Sequence, residues 1–438
     1  MIRFLYNLLF PFALVLFLPG YVVKMLRRGN YREKFGQRLG FYDEATRATL
    51  ATGERTWLHA VSVGEVMIAL KLAARMKVSA PDLRVALTTT TTTGFALAGT
   101  QAPPWMEVLY TPLDFWPIMR RAFDVIRPRR IVLVEAEVWP NLTALAQQRR
   151  IPLALVNARL SPRSEKRFRK FVWFVRPYFQ KLDLVCVPEE TDIARWQSLG
   201  VERDRIQRVG SIKFDPDDVT LRPEIPRKVL QTLGIDPARP ILLGGSTHPG
   251  EEEILARIFL ELRREFSTLF LLIAPRHVER TREIAGQLRA LGVSSVRRSE
   301  ATAPSATDCL LLDTTGELRD WYSVATIVFI GKSLTTRGGQ NPVEAIMADR
   351  PVVFGPHMEN FAALAQTLVA AHGACQPDDE LALLNSLRDL LRDAPARAQL
   401  ARHARTVLDA HGGATERTAQ LLETLAASGR VDSPRTEN

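Results

Sequence analysis

Residues 130–149 read RIVLVEAEVWPNLTALAQQR. Ile131 to Val134 form an unbroken apolar run, too short for a buried helix and the right length for a strand covered on both faces. Two glutamates follow, and then Pro140, whose fixed φ suits the first turn of a helix. The remainder carries apolar residues at helical spacing and ends in Gln-Gln-Arg. Strand, polar turn and Pro-started helix make one half of a β-α-β unit. The same order recurs on either side. Strands are predicted at 57–61, 85–89, 153–157 and 184–187, with helical patterns at 65–76, 115–126 and 139–149. Such alternation predicts a parallel sheet with helices on both faces. A Pro- and Asp-rich stretch, FDPDDVTLRPEIP at 214–226, reads as a linker. The alternation then restarts, with strands predicted at 241–244, 269–274, 309–312, 327–330 and 352–354 and helices at 251–264, 280–291, 343–347 and 361–370. The stretch from 378 is helical and charged, and SGRVDSPRTEN at 428–438 reads as a frayed tail.

A chain of 438 residues with 46% hydrophobic and 24% charged residues is neither disordered nor collagen-like nor polytopic. Its three cysteines, Cys186, Cys309 and Cys375, are too few and too scattered for a disulfide framework or a four-cysteine zinc site. They fit a reducing compartment. The formal net charge of +10 favours an acidic partner: nucleic acid, anionic lipid or a phosphorylated substrate. Residues 4–23, FLYNLLFPFALVLFLPGYVV, lack formal charge and are followed by the basic stretch KMLRRGNYREKFGQR. That pattern predicts a membrane anchor, spanning or lying in one leaflet, with the rest of the chain cytoplasmic. A second stretch, RSEKRFRKFVWFVRPYFQK at 163–181, interleaves cations with aromatic rings. It suits an anionic membrane surface or a single-stranded nucleic acid, and equally an amphipathic helix packed on its aromatic face.

Several turns could carry chemistry. His59-Ala-Val-Ser-Val-Gly-Glu65 places a carboxylate at a strand-to-helix turn, where it serves either as a general base or as a helix-start residue favoured by the dipole. Glu135 and Glu137 flank the turn before Pro140, again as cleft carboxylates or as turn formers. Gly244-Gly-Ser-Thr-His248 could hold an anion on its N–H groups, but Glu251 to Glu253 oppose it. Arg276 follows a predicted strand in Ala274-Pro275-Arg276-His277 and could fork onto a phosphate. Gly338-Gly-Gln-Asn341-Pro342-Val343-Glu344, with Gly331-Lys-Ser333 before it, gathers glycines, a helix start and a carboxylate fit for ribose hydroxyls. Asp215-Pro-Asp217 matches a metal-binding spacing, but it lies in the linker and reads as a turn, so no metal site is expected.

Together these segments resemble the 3-deoxy-D-manno-octulosonic acid (Kdo) transferases of lipopolysaccharide assembly. The likeness runs in order through the amino-terminal segment, Arg38-Leu-Gly40, HAVSVGE, EAEVWPN, Gly210-Ser-Ile212-Lys213-Phe-Asp215, GSTHPGEEE, APRH, DTTGEL and GGQNPVEA, to about residue 375. The resemblance implies an α/β protein of the glycosyltransferase B type: two Rossmann-like domains facing across a cleft, with an amino-terminal membrane anchor helix. Expected boundaries are 1–30 for the anchor, 31–218 for an acceptor and base domain, 219–425 for a sugar-nucleotide domain and 426–438 for the tail. It implies CMP-Kdo as donor, the lipid A precursor (lipid IVA) as acceptor, the inner membrane as location, and neither cofactor nor nucleic acid. Carried over by motif, Glu65 is implied as the catalytic base, with Glu135 and Lys213 supporting the transition state. Pro275, Arg276, Gly316, Glu317, Leu318, Asn341, Pro342, Val343 and Glu344 are implied as the CMP site. Ile212 and Ala136 depart from the pattern only beside the chemical groups. Thr336 and Arg337 stand where retaining B-type enzymes carry an acid, which fits inversion. The alternatives are a B-type enzyme using a UDP-sugar and a non-catalytic, membrane-tethered sugar-nucleotide-binding module.

Overall fold

The computed structural model describes residues 2–28, 34–160, 162–215, 221–236 and 238–427; the expected tail at 428–438 lies outside them, as does Asp217. The chain forms two units, one of residues 1–215 with 413–438 and the other of residues 216–412.

The first unit is built on strands β1 (Arg55–Ala60), β2 (Val85–Thr89), β3 (Met106–Tyr110), β4 (Pro128–Val134), β5 (Leu153–Val156), β6 (Leu184–Val187) and β7 (Ile206–Arg208), in spatial order β3-β2-β1-β4-β5-β6-β7. Every pairing is parallel. The chain starts at β1, winds outward to β3, then returns to β4 on the other flank. The strand order therefore reverses between β1 and β4, the point at which open α/β sheets bind ligands beyond their carboxyl ends. All six residues of β1 are buried, and β4 is buried over residues 130–134. Helices cover both faces, and the core divides accordingly: Trp57, Phe123 and Trp196 lie on one side, Leu72, Met76 and Val132 on the other.

The second unit repeats the design with β8 (Ile241–Thr247), β9 (Phe270–Pro275), β10 (Ser295–Arg297), β11 (Cys309–Leu311), β12 (Ile327–Ile330), β13 (Val352–Phe354) and β14 (Ala374–Cys375), ordered β10-β11-β9-β8-β12-β13-β14 and parallel throughout. Its reversal lies between β8 and β12.

One expected boundary is corrected. Residues 413–425 were assigned by sequence to the second domain, but the helix Ala414–Ala427 packs on the first unit, against the helix Val63–Ser79. Its amino terminus is capped from a distance. Asp215 accepts from the Gly413 N–H at 2.8 Å and from the Thr415 N–H at 2.7 Å. Arg130, buried in β4, donates to the Leu422 carbonyl at 2.6 Å. Asp215 is thus a structural cap. Among the described residues no group of His, Cys, Asp or Glu is placed to hold a metal ion.

The amino-terminal segment is also corrected. It forms the helix Ile2–Arg28, yet among the described residues no helix is long and apolar enough to cross a membrane. One face of its first turns is fastened to the first unit. Arg3 Nε and Asn7 Nδ2 donate to Asn141 Oδ1 at 2.9 and 3.0 Å, and Asn7 Oδ1 accepts from the Trp116 N–H at 3.0 Å. Phe10 stacks on Phe115 at 5.3 Å, and Tyr6 hydrogen-bonds the buried Asp114. The other face exposes Phe4, Leu5, Leu8, Leu9, Phe12, Val15 and Leu16.

The distant cap gives a direct expectation. Asp215→Ala leaves two backbone N–H groups without their acceptor at a partly buried site, a cost of about 2 kcal/mol. Calorimetry should show the melting temperature falling by about 4–8 °C; an unchanged transition would mean the returning helix is held by its apolar face alone.

Candidate active site

The sequence places Ser62 just ahead of Val63-Gly64-Glu65, and the local fold follows from that spacing. Ser62 caps the helix Val63–Ser79, accepting from the Glu65 N–H at 3.3 Å. Glu65 reaches back, its Oε2 accepting from the Val61 N–H at 2.8 Å. This is close to a capping box, with the carboxylate on the residue before the cap. The helix-start reading and the general-base reading are therefore compatible: the Val61 N–H fixes the turn through one oxygen, and the Ser62 hydroxyl and N–H also favour the ionised carboxylate. Glu65 is only 7% exposed. Burial raises its pKa above the ordinary carboxylate value, with the Val61 N–H opposing and the charge of Glu135 adding.

Glu135 follows β4 at the switch point, with φ at 64° and its N–H bonded to the Val156 carbonyl at 3.0 Å. A left-handed backbone at a bulky residue costs free energy and clusters at functional sites. Glu137 lies two residues on. Its pKa is pushed up to about 7, chiefly by burial and then by the charges of Glu65 and Glu135, with Arg167 opposing. The mutual effects put three carboxylates together at one end of the sheet, so a proton taken up there is shared against repulsion.

Lys213 joins them from the loop after β7. Burial lowers its pKa, while Glu135 raises it and Arg159 lowers it further. Asn157, also left-handed at φ 50° and fully buried at the end of β5, fixes this loop. Its Oδ1 accepts from Ser211 Oγ at 3.2 Å and the Ile212 N–H at 3.1 Å. His59, in the same motif as Glu65, is a core residue. Burial drives its pKa down to about 4, and its Nδ1 pairs with Thr88 Oγ1 at 3.0 Å. It is neutral at neutral pH.

The second unit gathers the other expected residues at the carboxyl end of its own sheet. Pro275 ends β9, and Arg276 follows it, exposed, its N–H on the Thr247 carbonyl at 3.0 Å. Among the described residues the Arg276 guanidinium has no acidic partner. Gly316, at φ 84°, Glu317 and Leu318 make the turn after β11, where Glu317 pairs with Arg298 at 3.2 Å. Asn341 caps its own turn, accepting from the Val343 N–H at 3.1 Å, and Pro342 leads into the helix Val343–Met347. Glu344 pairs with Arg319 at 2.9 Å.

The three glutamates expected to repel an anion at 251–253 do not act as a block. Glu251 is fully buried and accepts from the N–H groups of His248, Lys332, Ser333 and Leu334 at 2.8–3.1 Å. Glu252 is buried as well, bonded to Thr247 and Arg280. Glu251 laces the turn after β8 to the turn after β12, and Glu252 ties the end of β8 to Arg280 beyond β9. Asn157, Glu251 and Arg159 were missed as site builders by sequence reading. A polar residue directly after an apolar strand was the available signal at 157–159.

A family profile described as 3-Deoxy-D-manno-octulosonic-acid transferase (kdotransferase) matches residues 33–216. The 3-deoxy-D-manno-octulosonic acid transferase of Haemophilus influenzae is 31% identical over 425 residues, covering 96% of this chain and 98% of that protein. The enzyme of the same name from Bordetella pertussis is 33% identical over 387 residues, covering 86% and 89%. Among solved structures, a glycosyltransferase from Rickettsia africae superposes with TM-score 0.53 at 10% identity, covering 86% of this chain and 100% of its own. MurG from Acinetobacter baumannii gives 0.54 at 15%, covering 85% and 100%. At such identities the likeness is one of fold: the two-sheet α/β architecture of B-type glycosyltransferases.

The carboxylate cluster has a titration signature. Glu135→Gln removes a negative neighbour from both Glu65 and Glu137, so both should titrate at lower pH when followed by carbon-detected NMR. If Glu137 still titrated near 7, the charge of Glu135 would not reach it, and burial with Glu65 would set its affinity.

Proposed function

Because the chain belongs to the Kdo transferase family, we propose that it moves Kdo from CMP-Kdo to the lipid A precursor in lipopolysaccharide core assembly by one inverting displacement. It is a glycosyltransferase. The acceptor hydroxyl attacks the anomeric carbon of Kdo. A carbon–oxygen bond forms there as the bond to the CMP phosphate oxygen breaks, and that oxygen leaves with the electron pair. The hydroxyl proton passes to Glu65. The observation that carries this assignment is the state of that carboxylate: buried, raised in proton affinity, and held in place at the helix start by the Val61 N–H. A base held in this way is oriented before substrate arrives and has a pKa moved toward neutrality.

Lys213, beside Glu135, offsets negative charge near the reacting centre, either on the donor phosphate or on the Kdo carboxylate. The charge of Glu135 raises the proton affinity of Lys213 against the larger effect of burial. Arg276, free of any acidic partner among the described residues, presents a planar fork to the CMP phosphate. Gly316 lets the nucleotide approach the backbone closely, residues 317–318 and 341–344 border it, and Glu344 addresses the ribose.

The protein works at the cytoplasmic face of the inner membrane, in this reading. Its amino-terminal helix lies in one leaflet, because its docked face is polar and aromatic while its other face is a continuous apolar stripe. Exposed apolar area on this scale marks a contact surface.

Two outcomes test this. Glu65→Gln should lower transfer by about 10²–10⁴-fold while calorimetric CMP binding is retained; a folded variant with full transfer removes Glu65 as the base. Leu8→Glu with Phe12→Glu should move the protein from the membrane to the soluble fraction and spare transfer to detergent-dispersed acceptor. Undiminished membrane association would rule out the leaflet-lying helix.

A further inference from the structure

The two stretches singled out as membrane-seeking, 163–181 and the amino-terminal segment, meet in the first unit. The tether Ile2–Arg28 lies beside the short helix Val172–Phe179, where Tyr6 and Phe174 approach to 6.2 Å. Between them is a cavity of about 340 Å³ lined by Ile2, Leu5, Tyr6, Leu9, Phe10, Trp173 and Phe174. Its side chains are apolar but for the Trp173 indole N–H and the Tyr6 hydroxyl, and that hydroxyl bonds Asp114. The volume stands at the lower end of the range for small-ligand pockets, enough for one slender apolar group. Trp173 is 62% exposed at its edge, an arrangement costly in water and favourable against hydrocarbon.

Two observations give the occupant its chemistry. The helix Pro162–Lys170, which leads directly into Phe171 and the aromatic helix, exposes Lys166, Arg167, Arg169 and Lys170. Cations therefore border an apolar slot, the complement of a phosphorylated, acylated molecule. The slot also lies on the catalytic side of the sheet. Arg167 is near enough to lower the proton affinity of Glu137, and Asn141, which holds the tether, stands four residues beyond Glu137 in the same turn and helix start.

We propose that this slot is an acyl-chain subsite for the lipid acceptor: one chain inserts between the tether and Val172–Phe179, the cations of Pro162–Lys170 face the acceptor phosphate, and the sugar hydroxyl is delivered toward Glu65. The assignment rests on the acceptor reading above and adds a place for part of it. It makes the tether a component of substrate recognition as well as of membrane contact.

A series of acceptors differing only in acyl-chain length tests this, assayed with CMP-Kdo in detergent micelles and in vesicles. The native protein should show KM falling as the chain lengthens. Leu9→Trp, which fills the slot, should raise KM for the long-chain acceptor about tenfold, the worth of roughly two buried methylenes. It should leave kcat, short-chain KM and CMP binding unchanged. Trp173→Ala, which strips one wall from the exposed edge, should weaken the same length preference and serves if Leu9→Trp fails to fold. Chain-length indifference in the native protein, or an undiminished preference in both variants, overturns the subsite. A variant effect present in vesicles but absent in micelles also overturns it, assigning the slot to a bilayer lipid. No transfer by the native protein to any acceptor would instead overturn the reading of function.

Discussion

A desolvated carboxylate at a strand-order reversal is the constraint from which the first unit's chemistry follows. Where β1 and β4 sit side by side but their connections part, backbone N–H groups and helix starts face a common space. Glu65 enters it from the helix after β1, Glu135 and Glu137 from the turn after β4, and Lys213 from beyond β7. Burial raises the proton affinity of Glu65 and Glu137, the charge of Glu135 adds to both, and the charge of Glu65 adds to Glu137. A proton acceptor suited to near-neutral chemistry results without a histidine, since His59 is committed to the core.

The same turn ties the carboxylates to the amino-terminal helix. Trp139 and Pro140 begin the helix whose Asn141 is fully buried and bonded at once to Asp114, Asn7 and Arg3. Asp114 itself has its pKa pushed up to about 7 by burial, against the N–H groups of Asn141 and Leu142. Partners of this kind, satisfied only in one arrangement, fix geometry more than they add net stability. The tether is therefore held at a set position on the first unit. The amino-terminal helix is thereby fastened close in sequence to the turn that carries Glu137.

Strands with unbroken apolar runs were legible from sequence because burial on both faces leaves a continuous signal; 85–89, 184–187, 327–330 and 352–354 coincide with β2, β6, β12 and β13. The missed strands, β3, β7, β10 and β14, are the four edge strands of the two sheets, where one flank is open and the run is shorter or interrupted by Glu107, Gln207 or Arg297. The return of Ala414–Ala427 to the first unit was not legible, since its cap Asp215 lies 198 residues from Gly413. Motif order named Glu65, Glu135 and Lys213, but no local spacing announces that Glu251 and Glu252 are turned inward or that Asn141 holds the tether. Those roles depend on what another segment brings within 3 Å, which a linear pattern does not encode.

The central claim is that transfer depends on one buried carboxylate acting as base. Its most direct test is the pH dependence of kcat/KM, which reports ionisations of the free enzyme. Glu65 must be ionised to accept a proton, and burial raises its pKa, so activity should fail on the acid side at a pH above the ordinary glutamate value of 4.5. An acid limb at or below that value, with the fold intact, would contradict the account.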